Sequence, residues 1–389
     1  MDGGGSERQT LLMLRHLSRE RFAPELFVLR RGGTLFNQIP GDVPIHCFED
    51  LFDRSKHGLW LRVPGQIHRA QVNVVRRLIV ERSIDVIYDR TFHMTLIAGP
   101  ATKKTSVPRV STIVSPPSHA VPQNAGKFIA IKRAKLAAAY KSSAKVIAVS
   151  APVAADACRY YGLSRSHVQA IPNPVDFAEL DHAVASTPPP SRDERYTVVC
   201  VGRMTQEKGH RELIEAIGHL RRQSESFYAS LRLWLVGDGP LRSQLESLAQ
   251  SLGVTDCVEF LGHVAQPAPW IAAADALCLP SKFEGFPNVM LEAMALGTPV
   301  IASDIPVVRS LGRISSDPSI RGKTYLAMYP SGDSANLARK IVNVRQNSTA
   351  TRSRRHFAEN LAREALAVHT IVPRLEAIML GVVQEKSFE

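Results

Sequence analysis

Along the whole chain, short continuous apolar runs alternate with segments whose apolar residues recur every three or four positions. The runs predict strands over 26–29, 44–48, 84–88, 110–114, 146–149 and 168–171 in the first half. In the second half they predict strands over 196–201, 231–236, 258–261, 276–279 and 299–302. The spaced segments predict helices between most of them. Over 67–80, for example, Ile67, Ala70, Val74 and Leu78 fall on one stripe. A last helical stretch is expected over about 354–380, with Pro373 as a kink. Regular alternation of strand and helix predicts parallel sheets covered by helices on both faces.

The chain has 389 residues, too many for one ordinary core and suited to two α/β domains. The expected division is a first Rossmann-like domain over 1–178, a linker over 179–195 and a second Rossmann-like domain over 196–350. C-terminal helices over 351–389 are expected to pack back toward the first domain. The linker holds Thr187-Pro188-Pro189-Pro190, which can continue neither a helix nor a ladder. Two doubly wound sheets facing a central cleft would set their strand carboxyl ends on that cleft, where such sheets bind ligands. The start of the chain departs from this plan. A helix is expected over 6–19, with Ser6 and Gln9 as its capping box, and Gly3-Gly4-Gly5 before it. Such a glycine turn ordinarily leaves a strand, and only Met1 and Asp2 precede it. The first strand of the first sheet is therefore expected to be missing, and Met1 is expected not to be the natural start, or this form to be impaired.

Charge adds a polarity that the hydrophobic pattern does not show. Residues 1–178 hold 25 Lys and Arg against 13 Asp and Glu, whereas 179–389 hold 23 of each. Residues 101–150 hold nine basic residues and no acid. An anionic partner of the first domain is expected: a membrane surface, a lipid diphosphate or a nucleic acid. Residues 127–141 read as a basic amphipathic helix suited to an anionic membrane surface, or as an ordinary sheet-covering helix. Aromatic residues make up 6% of the chain and no recognition helix is visible, which argues against nucleic acid. The five scattered cysteines read as reduced core thiols. No Cys/His spacing suggests zinc, and no Asp-x-Asp pair is present to hold a divalent ion. The chain is expected to be cytoplasmic, with a peripheral position on the inner face of the plasma membrane as its membrane-bound form.

The densest chemical signal lies over 281–299, which reads strand, loop, helix, stop. Pro287 suits a first helical position and Gly297 the cap just past the end. Glu284 falls in the loop at the helix mouth and Glu292 in the helix eight positions on. A helix N-terminus offers free N–H groups to an anion, and Gly285 lets that anion approach. Arg203 and Lys208, after the strand over 196–201, supply two cations that can neutralise a diphosphate.

This constellation resembles the E-x7-E signature of the retaining glycosyltransferases of family 4, which have the GT-B fold. The resemblance extends over most of the chain. Gly3-Gly4-Gly5-Ser6-Glu7-Arg8-Gln9 is similar to the family's glycine-rich first loop. Ile171-Pro172-Asn173-Pro174-Val175-Asp176 is similar to its interdomain segment, with Pro174 in place of the usual glycine. Gly202-Arg203 with Glu207-Lys208-Gly209, Gly237-Asp238-Gly239, and Phe260-Leu261-Gly262 resemble its donor-domain loops. The loop Asp304-Ile305-Pro306-Val307-Val308-Arg309 lacks the common Gly-Gly pair.

The resemblance implies a nucleotide diphosphate sugar donor, UDP- or GDP-linked, and no cofactor or metal. It implies that Glu292 holds the ribose hydroxyls, and that Glu284 with Gly285, Phe286, Pro287 and Asn288 meets the donor sugar and phosphates. Leu291 would belong to the donor-binding set. Residues 262–264, led by Gly262, would frame the base, and Gly237 would allow a tight turn beside the nucleotide. In the first domain, Gly4 and Gly5 would meet the donor phosphates, and His93 would lie near the transferred sugar. Catalysis would rest on Glu284, Arg203, Lys208 and His93, and the acceptor would be a glycan or a lipid-linked glycan of cell-surface polysaccharide or glycolipid synthesis. The alternatives are a nucleotide-sugar epimerase of the same architecture and a catalytically impaired or non-catalytic protein that binds nucleotide sugar or membrane.

Overall fold

The computed structural model describes residues 4–52, 65–125, 128–188, 190–311, 326–347 and 358–387. Gly3, Lys127, Pro189 and Arg354, which enter the expectations above, lie outside these residues. The chain forms two compact units, residues 1–174 with 368–389 and residues 175–367.

The second unit is built on one parallel sheet. Its strands are β7 (Tyr196–Val201), β8 (Leu231–Val236), β9 (Val258–Gly262), β10 (Ala276–Leu279), β11 (Val300–Ser303) and β12 (Ala327–Tyr329), in the order β12-β11-β10-β7-β8-β9. Residues of β7, β8 and β10 are buried on both faces, which is why these strands read as continuous apolar runs rather than alternating ones. On one face Val198, Cys200, Leu233, Leu235, Cys278 and Ile301 pack against the His210–Gln223 and Ser334–Gln346 helices through Leu213, Ile214, Ile217, Leu337 and Ile341. The strand order reverses beside β7. β8 and β9 continue to one side, and β10 returns to pair with β7 on the other. β12, three residues long, gave no signal in the sequence.

In the first unit the strands are β1 (Leu26–Val28), β2 (Ile45–Cys47), β3 (Ile87–Arg90), β4 (Arg109–Ile113), β5 (Lys145–Ala148) and β6 (Val168–Ala170). They form two parallel groups, β1-β2 and β3-β4-β5-β6. The same helices cover both groups. From the Gly5–His16 helix, Leu12 and Met13 pack with Val110, Ile147 and Ile171, while Leu14 packs with Leu26, Val28 and Cys47. From the Gln66–Glu81 helix, Val72, Val75 and Ile79 pack with Phe27 and Leu29 and also with Ile87 and Ile97.

Several boundaries differ from the sequence reading. The strand expected over 84–88 begins only at Ile87, because the Ile84 N–H donates to the Ile79 carbonyl at 3.0 Å and so closes the preceding helix. Ser6 and Gln9 form no capping box. The Gly4 N–H donates to Glu7 Oε2 at 3.0 Å instead, and buried Gln9 donates its Nε2 hydrogen to the Pro174 carbonyl at 3.0 Å. That helix stops at His16, where the backbone turns extended at Leu17. The segment read as a linker over 179–195 starts with a helix, Phe177–Ser186. Asp176 caps it through the Glu179 N–H, and Leu180 and Ala183 are buried against Ala268 and Ala295. The final helical stretch is broken at Leu366 and Ala367, where Ala367 bridges to Val175. It resumes as Val368–Ser387, which runs through Pro373 and buries Ile371, Val372, Leu375 and Met379 with the β4–β6 core of the first unit. Glu376 anchors it by accepting the Ser18 N–H at 2.8 Å.

Beneath β3 and β4 lies a fully buried polar network. Arg109 Nη1 donates to Asp89 Oδ2 at 3.0 Å, Ser111 Oγ donates to the same oxygen at 2.6 Å, and Thr95 donates to Asp89 Oδ1. Asp89 and Arg109 are 5% and 1% exposed, so each is the other's replacement for water. Asp89→Ala strands the guanidinium, and urea denaturation is expected to show a loss of about 3–5 kcal/mol. An unchanged midpoint would mean that Arg109 is not charged or not buried.

Candidate active site

The carboxyl ends of β7, β8, β9 and β10 carry loops that are knitted together by backbone contacts. Gly202 N donates to Val236 O at 2.9 Å, Met204 N to Asp238 O at 2.9 Å, Gly237 N to Gly262 O at 2.7 Å and Lys282 N to Glu207 O at 2.8 Å. Glycine is required at two of these positions. A Cβ on Gly237 (φ 135°) would fall 2.1 Å from the Gly202 carbonyl oxygen, and one on Gly209 (φ 70°) would fall 1.9 Å from that of Pro280. The loops after β7 and β10 are thus pressed together at the point where the strand order reverses, the place where open parallel sheets bind ligands.

This packing joins Lys208 to Glu284. Lys208 Nζ donates to Glu284 Oε1 at 2.6 Å, and Ser281 Oγ donates to the same oxygen at 2.8 Å. Burial disfavours the ammonium charge, but the Glu284 carboxylate outweighs it and raises the Lys208 pKa above its ordinary value. Lys208 therefore stays charged at neutral pH. Arg203, on the same loop, is exposed and makes no ion pair among the described residues. Ser281, 1% exposed, was missed in the sequence because a serine after a strand carries no signal of its own. His210 was missed as well. It opens the helix after Gly209, is 2% exposed, and neither ring nitrogen has a partner. Burial pushes its pKa down to about 4, so it is neutral.

The helix after β10 spans Asn288–Ala295, with Pro287 as its N-cap rather than its first residue. Gly285, Phe286 and Pro287 are buried, Asn288 is half-buried, and Leu291 is fully buried among the core residues. Glu292 is half-buried on this helix. Gly297 follows the helix with φ 68°, as a left-handed terminator does. Among the described residues no three His, Cys, Asp or Glu side chains stand together as metal ligands.

Gly4, Gly5 and His93 belong to the first unit. Gly4 has an ordinary φ of −66°, and a methyl group there would meet only Glu7 Oε2 at 3.5 Å, so its contribution is open space rather than conformation. His93 is the second residue of the Phe92–Thr102 helix and is exposed. The turn that presents it is strained. Thr91 sits at φ 72°, ψ 144°, a region that β-branched residues avoid. The Asp89 network clamps it from below, since Thr95, whose hydroxyl hydrogen goes to Asp89, donates its N–H to the Thr91 carbonyl at 3.0 Å. Crowding by protein, then the Lys132 charge, lowers the His93 pKa.

The two units with their parallel sheets define a GT-B fold of two Rossmann-like domains. Over 98% of its length the chain superposes on sucrose-phosphate synthase from Thermosynechococcus elongatus (TM-score 0.77, 18% identity, 94% of that chain). It superposes equally far on Anabaena HepE in complex with UDP and glucose (TM-score 0.75, 20% identity, 97% of that chain). Residues 195–347 match the family model "Glycosyl transferases group 1", and residues 3–179 match "Glycosyltransferase Family 4". The chain carries a group 1 glycosyltransferase domain preceded by a family-4-type domain. In sequence it is similar to the lipopolysaccharide core biosynthesis glycosyltransferase LpsE of Rhizobium meliloti (37% identity over 33% of this chain and 33% of the relative). It is also similar to the putative teichuronic acid biosynthesis glycosyltransferase TuaC of Bacillus subtilis (31% identity over 64% of this chain and 62% of the relative). The matches thus span less than two thirds of these relatives' lengths.

Releasing the strain at the turn isolates its energetic cost. Thr91→Gly is expected to raise the urea-unfolding free energy by about 1 kcal/mol, the strain removed less the entropy of the added glycine. A loss of stability would show that the Thr91 side chain supports the turn rather than suffering in it.

Proposed function

We propose that this protein is a retaining glycosyltransferase that moves a sugar from a nucleotide diphosphate sugar to a glycan or lipid-linked acceptor in cell-surface polysaccharide or glycolipid synthesis. The observation that carries this reading is the Lys208–Glu284–Ser281 cluster, with Arg203 beside it, at the strand reversal of the second sheet. HepE, similar in fold, is described in complex with UDP-glucose, which supports a UDP-linked donor here.

In this reading the bond between the anomeric carbon and the diphosphate oxygen breaks, and its electron pair goes to the leaving diphosphate. The acceptor hydroxyl attacks from the same face, and its proton passes to the departing phosphate oxygen. Negative charge gathers on that oxygen in the transition state, where Lys208 and Arg203 stabilise it without a metal. Glu284 holds Lys208 charged and aimed, and Glu292 takes the ribose hydroxyls. Arg203→Ala or Lys208→Ala is expected to slow transfer by about 10²-fold or more in an assay with labelled nucleotide sugar. Activity that survives both changes but disappears with a chelator would replace this account with a metal-dependent one.

The protein is also proposed to reach its acceptor at an anionic membrane. No helix among the described residues is long and apolar enough to cross a membrane. The Ile129–Lys141 helix buries Leu136, Ala139 and Tyr140, yet its first turn exposes Phe128 (68%) and Ile131 (56%) beside Lys132 and Lys135. Exposed apolar side chains on a helix that also carries lysines suit insertion at a headgroup layer. Sedimentation with vesicles is expected to show binding to phosphatidylglycerol mixtures that weakens as salt rises. Equal binding to neutral vesicles would remove the electrostatic part of the proposal.

A further inference from the structure

We propose that His68, His93, Lys132 and Lys135 form a phosphate-binding subsite on the first unit, which selects an acceptor carrying a phosphate group. The proposal deepens the glycosyltransferase reading and rests on it for the word acceptor.

Three helices bring these groups together. His68 is the third residue of the Gln66–Glu81 helix, and His93 is the second of the Phe92–Thr102 helix. Lys132 and Lys135 lie one turn apart on the Ile129–Lys141 helix. The second helix packs against both of the others. Lys132 Nζ lies 5.2 Å from the centre of the Phe92 ring, which sets it beside the turn that presents His93. Within these helices the one acid is Glu81, at the far end of the first. Asp89, on the strand leading into the turn, is already taken by Arg109, Ser111 and Thr95. Four basic groups therefore lie on packed helices that carry no carboxylate near them, Glu81 standing at the far end of its helix.

The imbalance is visible in the histidines. His68 is half-buried, and its pKa is lowered by burial, then by Lys135, then by His93. His93 is lowered by crowding and then by Lys132. An anion seated among them reverses the sign of that field: it favours the imidazolium forms and raises both pKa values. Phosphate uptake is thus coupled to proton uptake, and affinity strengthens as pH falls through the histidine range. The strained Thr91 turn is independent support. Strain held in place by a buried network is a feature of sites that need one fixed backbone geometry, and here it fixes His93.

The test is a titration of the full chain with inorganic phosphate, with UDP present at saturation so that the cations of the second unit are occupied. Imidazole resonances of His68 and His93 are followed by heteronuclear NMR across pH. Both are expected to shift saturably and to titrate at higher pH with phosphate than without. Lys132→Gln and Lys135→Gln are each expected to weaken the apparent phosphate affinity about threefold to fivefold, the scale of a solvent-screened charge. They are also expected to raise KM for a phosphorylated acceptor more than they lower kcat. Histidines that do not respond, or that respond equally to chloride at matched ionic strength, would overturn the subsite. Parallel arms with glycerol phosphate and with phosphatidic acid vesicles assign the source. A response to both fits a phosphate on a soluble or a lipid acceptor, and a response to vesicles alone assigns a lipid headgroup. UDP binding, read by calorimetry in the same samples, separates the two ideas. Intact UDP binding with silent histidines sinks only the subsite, whereas loss of UDP binding counts against the glycosyltransferase reading itself.

Discussion

The contact between Lys208 Nζ and Glu284 Oε1 at 2.6 Å organises the chemistry of the second unit. Burial disfavours the Lys208 ammonium, and the Glu284 carboxylate beside it outweighs that penalty. The pair forms only because two loops from adjacent parallel strands approach to backbone contact. That approach depends on Gly209, whose missing Cβ leaves room for the Pro280 carbonyl. The same close approach holds the β7 and β8 loops together at Gly202 and Gly237. Strand order, loop packing and site charge are thus one construction. The sheet places β7 next to β10, the glycines let their loops touch, and the touching loops place a cation and a carboxylate together at the strand reversal.

The first unit solves a different problem with a similar device. Its buried ion pair, Asp89 with Arg109, lies below the surface and holds a strained backbone turn above it. The histidine that this turn presents lies near Lys132, which belongs to the stretch from 101 to 150 that holds no acid. The excess charge of the first half is therefore not an even coat. Lys132 and Lys135 lie on the helix that exposes Ile131, and that helix packs on the one that starts with Phe92 and His93. Both features suit the anionic, membrane-bound acceptor proposed above.

Much of this was legible in the chain before folding. The buried runs of β7, β8 and β10 are hydrophobic without alternation, because a parallel sheet covered on both faces leaves no polar side. Their positions follow from that pattern alone. Arg203, Lys208 and Glu284 stand out because charged residues in loops after strands, next to glycines, have few other reasons to be there, and Glu292 stands out by its spacing from Glu284. The concentration of basic charge in the first half is a property of composition and needs no structure.

Other features were decided only when the chain closed on itself. The Phe177–Ser186 helix lay hidden in a segment ending in prolines, and exists because Leu180 and Ala183 find Ala268 and Ala295, about 90 and 115 residues away in sequence. Gln9 read as a capping residue and became a long-range tie to Pro174, because the Gly4 N–H had a nearer partner in Glu7. Ser281 and His210 carry no local signal, and only the folded chain shows that the first donates to Glu284 and that the second is buried at the start of its helix. The strain at Thr91 is likewise invisible in sequence, since a threonine after a strand is ordinary until packing fixes its backbone. The sequence by itself determined most of the strands, though not β12, together with which charges follow them and which half is basic, because those depend on local pattern and composition. The tertiary structure alone decided which charges are paired, which are left facing outward and where the backbone is strained, because each of those depends on what a distant segment brings within a few ångströms.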